Sequence, residues 1–135
     1  IYCATPKITF RRLSAFDEMK YQSFLKIYVE GFERVFEEFR AGAPERKLCI
    51  YPSSIFVEQD SPDTIEYKQA KLAGEDLCRR LAARYPGVTF RVPRLDRFDT
   101  DQTAMLQASQ AGFDASEIFG TISRLFAFES LSGPN

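Results

Sequence analysis

The hydrophobic residues of this chain form short apolar runs that are separated by longer stretches with helical spacing. The runs lie at Ile1–Ala4, Leu48–Tyr51 and Val88–Val92, and each is closed within two residues by a proline. A run of four or five residues is too short for a helix, and such a run with flanking proline is typical of a buried parallel strand. The pattern therefore predicts three strands.

Three helices are predicted between and after these strands. The first begins at Ser14, which forms an imperfect capping box with Asp17, and it continues to about Arg40. Its apolar residues are three and four positions apart and form one continuous stripe. They are Phe24, Leu25, Tyr28, Val29, Phe32, Val35, Phe36 and Phe39. Two further helices are predicted at 65–85 and 114–131, whereas 94–112 is polar and has no clear assignment.

The alternation of strand and helix predicts an α/β fold with a parallel sheet and right-handed crossovers. Two such crossovers that step in one direction place both helices on the same face of the sheet. The strands are apolar on both faces, so the opposite face also needs a cover. We expect the last helix to supply part of it and a segment outside this sequence to supply the rest.

The overall charge excludes several classes of partner. Hydrophobic residues make up 44% of the chain, charged residues make up 27%, and the net charge is −1. There is no basic stripe, which argues against a nucleic-acid partner and against a polybasic membrane anchor. No apolar run approaches the roughly 18 residues of a membrane span. The start at Ile1 shows no signal peptide and resembles an interior strand, so we expect a piece of a longer protein.

The cysteine and histidine content excludes several catalytic mechanisms and metal sites. The three cysteines, Cys3, Cys49 and Cys78, lie in apolar segments without the spacing of a disulfide framework or a zinc site. Buried, reduced thiols are typical of a cytoplasmic protein. The chain has no histidine, which excludes Ser-His-Asp and Cys-His catalysis and the common metal sites. An enzyme of this composition must use Ser, Tyr, Lys or carboxylates.

Three polar residues are predicted to meet at one edge of the sheet. Ser54 follows the second strand, and ligands of open α/β sheets bind at the carboxyl ends of strands. Tyr67 and Lys71 are four residues apart on a predicted helix, so both project from one face. A Tyr-xxx-Lys pair alone is a weak signal, but its conjunction with a serine after a strand is much stronger.

This trio suits reduction of a carbonyl or the reverse oxidation. Hydride transfer to a carbonyl carbon leaves negative charge on oxygen, which Tyr67 can protonate as general acid. A phenol has a pKa near 10, and we expect the Lys71 ammonium to lower the pKa of Tyr67. Ser54 can hydrogen-bond the same oxygen and orient the substrate.

These residues resemble the catalytic set of the short-chain dehydrogenase/reductases. That family carries a Ser after its fifth strand and then Tyr-xxx-Lys, and the spacing of thirteen between Ser54 and Tyr67 is common in it. The resemblance covers most of the chain and implies a partial, three-layer Rossmann-like fold. Residues 1–135 are then one domain, the C-terminal half of the family's fold, with the N-terminal strands absent.

The resemblance also implies a cofactor and partners. It implies NADP or NAD, with Tyr67 and Lys71 at the nicotinamide ribose and Pro93 near the nicotinamide. It implies a small-molecule or carrier-bound carbonyl substrate. Because the other half of the fold is missing, we expect either a homo-oligomer or association with that N-terminal half. Nucleic acids and membranes are not expected partners.

The sequence departs from the family pattern at three places. Tyr28 stands where many members have an Asn three residues before a Gly, here Gly31. The segment after Pro93 begins with Arg94 in place of the usual Gly. No two of the seven glycines are spaced for a Gly-rich phosphate loop. Two alternatives to an oxidoreductase therefore stay open: a non-catalytic remnant that acts as a scaffold or partner-binding domain, and an epimerase or dehydratase on the same scaffold.

Overall fold

The structure is a computed structural model, and it describes residues 6, 15–42, 47–95, 120 and 123–124. The chain divides into two compact units, Ile1–Leu95 and Asp96–Asn135. In the second unit the described residues 120, 123 and 124 are helical. The strand predicted at Ile1–Ala4 and most of the helix predicted at 114–131 lie outside the described residues. That residues 1–135 form one domain stays a prediction.

The first predicted helix is present but has three parts. It runs through α1 (Glu18–Leu25), a π-helical segment (Lys26–Gly31) and α2 (Phe32–Ala41). It ends at Gly42, where the backbone becomes extended. The prediction of a long helix is thus confirmed, although its start and its inward face differ from the expected ones.

Asp17 is the N-cap of α1, and Ser14, the predicted start of the helix, lies outside the described residues. The Asp17 carboxylate accepts a hydrogen bond of 3.0 Å from the backbone N–H of Lys20. The backbone N–H of Asp17 in turn donates to the Glu66 carboxylate at 2.9 Å. Glu66 lies 49 positions further along the chain, so no local sequence pattern contains this partner.

The π-helical segment explains which aromatic residues face inward. Phe24, Tyr28, Phe32 and Phe36 are spaced by four and are each at most 2% exposed, whereas Val35 is 53% exposed. In a regular α-helix with 3.6 residues per turn, residues four apart drift by about 40° per step. The wider π turn offsets that drift, so four aromatic side chains stay on one face. Of the eight residues of the predicted stripe, these four are therefore buried, Leu25 and Val29 pack partly buried against the core, and Val35 and Phe39 are exposed.

The described strands form a parallel ladder with one interruption. The strand β1 (Lys47–Ile50) pairs with β3 (Val88–Arg91), and the short β2 (Ser53–Ser54) pairs with β4 (Arg94–Leu95). Backbone hydrogen bonds from Tyr51 N–H to Arg91 and from Ser53 N–H to Pro93 continue the pairing between them, at 2.9 and 2.8 Å. The parallel sheet is therefore confirmed for the second and third predicted strands.

The second predicted helix is confirmed almost residue for residue. It is α3 (Ile65–Arg84), preceded by two short 3-10 turns, Ile55–Glu58 and Pro62–Thr64. Buried residues of its second half pack with α2 and the sheet in one core cluster of Phe32, Phe36, Cys49, Tyr51, Leu77, Cys78 and Leu81. Ile50, on the opposite face of β1, is also only 2% exposed, as expected for a strand buried on both faces.

A second core cluster lies next to the predicted site. It consists of Phe24, Tyr28, Tyr67 and Ala70, so it joins the first half of the long helix to the first turns of α3.

Over the described ranges, every helix is too short or too polar to cross a membrane.

Candidate functional site

The structure places Ser54 at the carboxyl end of the interrupted strand, as predicted. It is the last residue of β2 and caps the 3-10 turn that follows, because its Oγ accepts a hydrogen bond of 3.3 Å from Phe56 N–H. The side chain is nearly inaccessible, with 7% of Ser54 exposed. Since Oγ is already an acceptor for Phe56, its own proton is available for donation to another group.

Tyr67 lies in the first turn of α3 and is surrounded by aromatic rings. Its ring makes edge contacts with Phe24 and Tyr28, each at 5.7 Å between ring centroids, and with Phe56 at 6.2 Å. Tyr67 is 8% exposed. Such edge-to-face packing fixes the plane of the phenol and so the direction of its hydroxyl group.

The pKa of the Tyr67 phenol is raised above its usual value. The main cause is burial, which penalises the phenolate, and hydrogen bonding with the Ser54 side chain opposes part of that effect. The expectation that the pKa of Tyr67 would be lowered is therefore wrong. Sequence spacing predicted the neighbours of the phenol, but not the depth at which the aromatic rings bury it.

Lys71 lies one turn after Tyr67 and is 7% exposed. Its Nζ donates a hydrogen bond of 2.8 Å to the backbone carbonyl of Pro52, in the gap between β1 and β2. The ammonium also lies 4.0 Å from the centroid of the Tyr28 ring, and 5.8 Å from that of Tyr67. Lys71 is thus beside Tyr67, as predicted, but its nearest aromatic neighbour is on the long helix.

Pro93 lies between β3 and β4, directly before the pairing of Ser53 with Arg94. Its carbonyl accepts the hydrogen bond from Ser53 N–H. The side chain is half-buried. The structure thus places Lys71 beside Tyr67 and against Pro52, and it places Pro93 against Ser53, the residue before Ser54.

An ionic network that the sequence did not predict supports this edge of the sheet. Glu75, one turn after Lys71, accepts hydrogen bonds from Ser53 Oγ at 2.6 Å and from Arg94 Nε and Nη2 at 3.0 and 2.8 Å. Arg94 Nη1 also donates to Glu58 at 3.0 Å. The network ties α3, β2, β4 and the first 3-10 turn together.

The charge of Glu75 is stabilised within this network. Burial alone would raise the pKa of its carboxyl, but hydrogen bonds from Arg94 and Ser53 outweigh burial and hold the pKa below its usual value. At the position of Arg94 the resembling family commonly has Gly. Here Arg94 instead connects α3 to the edge of the sheet through its bonds to Glu75. The one sequence signal that pointed to Glu75 was its position four residues after Lys71.

Tyr28, like Glu75, makes a contact at the site that the sequence did not predict. Its hydrophobic spacing assigned it to the core, where it is indeed 1% exposed. The pattern gave no sign that its ring face would meet the Lys71 ammonium. The available signals were the aromatic spacing of four through Phe24, Tyr28 and Phe32, and the departure from Asn before Gly31.

Metal and thiol chemistry find no support in the part of the chain that the structure describes. No group of three or more His, Cys, Asp or Glu residues is placed there to hold a metal ion. Cys49 and Cys78 are buried free thiols, and burial raises their pKa values to about 11 and about 12. Thiols with such pKa values are largely protonated near neutral pH and poorly nucleophilic.

Comparisons with known proteins bear on the fold. No protein-family model matches the chain. No curated protein matches it either. Among solved structures, it is similar to an X-ray structure of an alcohol dehydrogenase from the archaeon Thermococcus sibiricus, complexed with 5-hydroxy-NADP, with a TM-score of 0.69 and 20% sequence identity.

The matched region covers 87% of this chain and 52% of the dehydrogenase, so the chain spans about half the length of that enzyme. The chain has a partial Rossmann-like fold. The fold predicted from the sequence is thereby confirmed.

Proposed function

We propose that this chain carries the proton-transfer residues of an NAD(P)-dependent oxidoreductase of the short-chain dehydrogenase/reductase type, and that it corresponds to the C-terminal half of that fold. The observation that carries the proposal is the meeting of Ser54, Tyr67 and Lys71 beside the ends of two parallel strands. Each is less than a tenth exposed. Buried polar groups cost folding free energy, so three at one strand edge favour a functional role.

The proposed reaction interconverts a carbonyl and an alcohol. A bound nicotinamide would supply or accept the hydride at the substrate carbon. Tyr67 gives its phenolic proton to the carbonyl oxygen during reduction and takes it back during oxidation. The Ser54 hydroxyl, which lowers the pKa of the Tyr67 phenol against the effect of burial, stabilises the phenolate that remains after proton transfer.

The residues present suit the nicotinamide end of such a cofactor. A buried ammonium at Lys71 and a phenol at Tyr67 can both hydrogen-bond sugar hydroxyls, and Pro93 forms an apolar edge on the adjacent strand. The sequence has no Gly-rich loop for the pyrophosphate. A second polypeptide segment, either another copy of this chain or the N-terminal half of the fold, must then supply the phosphate site.

A non-catalytic scaffold is the second candidate, and the depth of the site favours it. Tyr67 is enclosed by three aromatic rings, and burial raises its pKa. Lys71 is engaged by the Pro52 carbonyl. Both features also stabilise a folded core that performs no chemistry, so an activity measurement is needed to separate the two candidates.

Nucleotide titration and a single substitution test the proposal. The protein should bind NADPH or NADH saturably, with a Kd in the micromolar range (about −8 kcal/mol), and should consume the nucleotide with small aldehydes or ketones. Tyr67→Phe should lower turnover by about a hundredfold or more with nucleotide binding and folding intact. Tyr85→Phe, at the other end of α3, is the matched control, because the Tyr85 hydroxyl contacts only Glu37 among the described hydrogen bonds.

Three outcomes decide between the candidates. Equal turnover in the Tyr67→Phe and Tyr85→Phe variants would exclude Tyr67 as the acid. No saturable nucleotide binding up to millimolar concentration, in the chain or in the full-length protein that contains it, would favour the scaffold. Substrate conversion without net consumption of nucleotide would instead indicate an epimerase.

A further inference from the structure

We propose that Tyr28 is a positioning residue for Lys71, and that its ring face holds the ammonium at the site beside Tyr67. The catalytic consequence of this role rests on the proposed function. The geometric role does not, and the two can be tested separately.

The distances single out Tyr28 among the aromatic residues around Lys71. The ammonium lies 4.0 Å from the Tyr28 centroid, compared with 5.4 Å for Tyr51 and 5.8 Å for Tyr67. A cation within about 6 Å of a ring centroid is attracted to the ring face, and the attraction is strongest where water is excluded. Lys71 is 7% exposed, so the interaction is largely shielded from water.

The Tyr28 ring is held in place by its own neighbours. It stacks on Phe24 at 6.0 Å and meets the edge of Tyr67 at 5.7 Å. It lies in the π-helical segment, whose wide turn keeps Tyr28 in line with the buried residues before and after it. A ring that is fixed on two sides gives the ammonium a fixed surface, whereas a flexible partner would not.

The Lys71 ammonium is thus contacted from two different parts of the fold. The Pro52 carbonyl holds it at 2.8 Å from the sheet side, and the Tyr28 ring holds it from the long helix. Because Tyr28 also contacts Tyr67, one side chain touches both members of the Tyr-xxx-Lys pair. This arrangement couples the geometry of the proposed acid to that of its neighbouring cation.

The alternative is that Tyr28 only fills space in the core. A set of substitutions separates the two roles. Tyr28→Phe keeps the ring face, and Tyr28→Leu removes it. Phe36→Leu is the matched control: Phe36 is equally buried on the same helix, but its ring contacts Tyr85 and Phe90. Both leucine variants should lose similar amounts of stability, since each removes a buried ring.

The decisive measurement is the NMR shift of the Lys71 side-chain ε-CH2 protons, assigned with a Lys71→Arg variant. A ring face at this distance should move these protons upfield. We expect the upfield shift to persist in Tyr28→Phe and in Phe36→Leu, and to shrink in Tyr28→Leu to the part that the more distant rings of Tyr51 and Tyr67 supply. An unchanged shift in folded Tyr28→Leu would overturn the proposal.

A second substitution covers the case in which Tyr28→Leu does not fold. Replacement of Tyr28 by a ring-fluorinated phenylalanine keeps the size of the ring and withdraws electron density from its face. The ammonium should then move away from the ring, with a change in the Lys71 shifts relative to Tyr28→Phe. Identical shifts in the two proteins would count against a cation–ring interaction.

The consequence for turnover is measured separately. If the protein reduces carbonyls, Tyr28→Leu should lower turnover about tenfold, equivalent to about 1.4 kcal/mol, and Tyr28→Phe should restore it. Full turnover in Tyr28→Leu would overturn the catalytic part of the proposal. If the wild-type protein shows no turnover, the proposed function fails, and the Lys71 shifts still decide whether Tyr28 positions the ammonium.

Discussion

Gly74 packs directly against the side chain of Tyr51. A Cβ atom at residue 74 would lie 1.9 Å from the Tyr51 hydroxyl oxygen and 2.4 Å from its Cζ. This close approach lets α3 lie flat on the sheet next to the proposed site. Tyr51 is 1% exposed and packs on Phe32 at 4.9 Å, so it has little room to move aside.

We therefore expect Gly74→Ala to destabilise the protein by about 2 kcal/mol or more, because the overpacking cost exceeds the better helix propensity of alanine. Urea denaturation measures the change. Gly42→Ala is the matched control, since the nearest described atom to an added Cβ there is the Phe39 carbonyl oxygen at 3.9 Å. Its effect should stay within about 0.5 kcal/mol. If Tyr51 causes the clash, adding Tyr51→Leu should reduce the cost of Gly74→Ala.

The Tyr51 hydroxyl offers a second stability prediction. It is buried without a hydrogen-bond partner among the described residues, and burial raises its pKa far above the usual value. Tyr51→Phe removes the unpaired polar group and leaves the ring in place. We expect a gain of up to about 1 kcal/mol in the free energy of unfolding. A loss of that size would show that the hydroxyl is hydrogen-bonded in solution.

The network around Glu75 predicts a pH-dependent stability. Because the folded-state pKa of Glu75 is lowered, its contribution is present above the unfolded pKa of about 4.3 and is lost as the pH falls through the folded pKa. Glu75→Gln should cost about 1–2 kcal/mol near pH 7, since charged hydrogen bonds are lost. The difference from wild type should vanish at low pH.

Asp76→Asn is the control for this experiment. Asp76 is next to Glu75 on the same helix and pairs with Arg79 and Arg80, but its side chain is 45% exposed. Exposed pairs contribute little, so the cost at neutral pH should be below about 1 kcal/mol. Equal costs for the two variants would indicate that Glu75 makes no special contribution to the strand edge.

The raised pKa of Tyr67 predicts opposite pH profiles for the two directions of the proposed reaction. Reduction needs the protonated phenol, so its rate should stay constant through neutral pH and fall only at alkaline pH. Oxidation needs the phenolate, so its rate should rise with pH and not level off below about pH 10. Profiles of kcat in both directions test this. An oxidation rate that levels off near pH 7 would mean that Tyr67 is not the titrating group or that its pKa is lowered.

Ser54→Ala should raise the pKa of Tyr67 further and so move both pH profiles to higher pH. Hydrogen bonding with Ser54 opposes the effect of burial on the pKa of Tyr67. Its removal raises that pKa, so oxidation at a fixed pH should slow more than reduction. Equal slowing in both directions would indicate that Ser54 only orients the substrate.

The sequence predicted those features that depend on neighbouring residues. The spacing of apolar residues placed the helix that became α3 within one residue of its observed end, and it placed the strands β1 and β3. The sequence also placed Ser54 at the carboxyl end of a strand, where ligands of open α/β sheets bind, and Ser54 is the last residue of β2. The four-residue spacing of Tyr67 and Lys71 placed both on one face of the helix that became α3.

Predictions failed where a contact joins distant segments. The backbone N–H of Asp17, the N-cap of α1, donates to Glu66, which is 49 positions away. The inward face of the long helix depends on a π turn that local propensity does not specify. The pKa of Tyr67 is raised because rings from the long helix bury it, and those rings are distant in sequence.

By itself, the sequence determined the alternating order of strands and helices, the edge of the sheet at which the predicted site lies, and the residue types available for proton transfer. These features depend on the spacing of apolar residues and on the residues that follow each strand, which are local properties. Only the tertiary structure decided how deeply Tyr67 is buried, which ring faces Lys71, and that Arg94 pairs with Glu75 across 19 positions. Burial and charge pairing depend on which segments pack together. That packing is a property of the whole fold, and no local window of residues contains it.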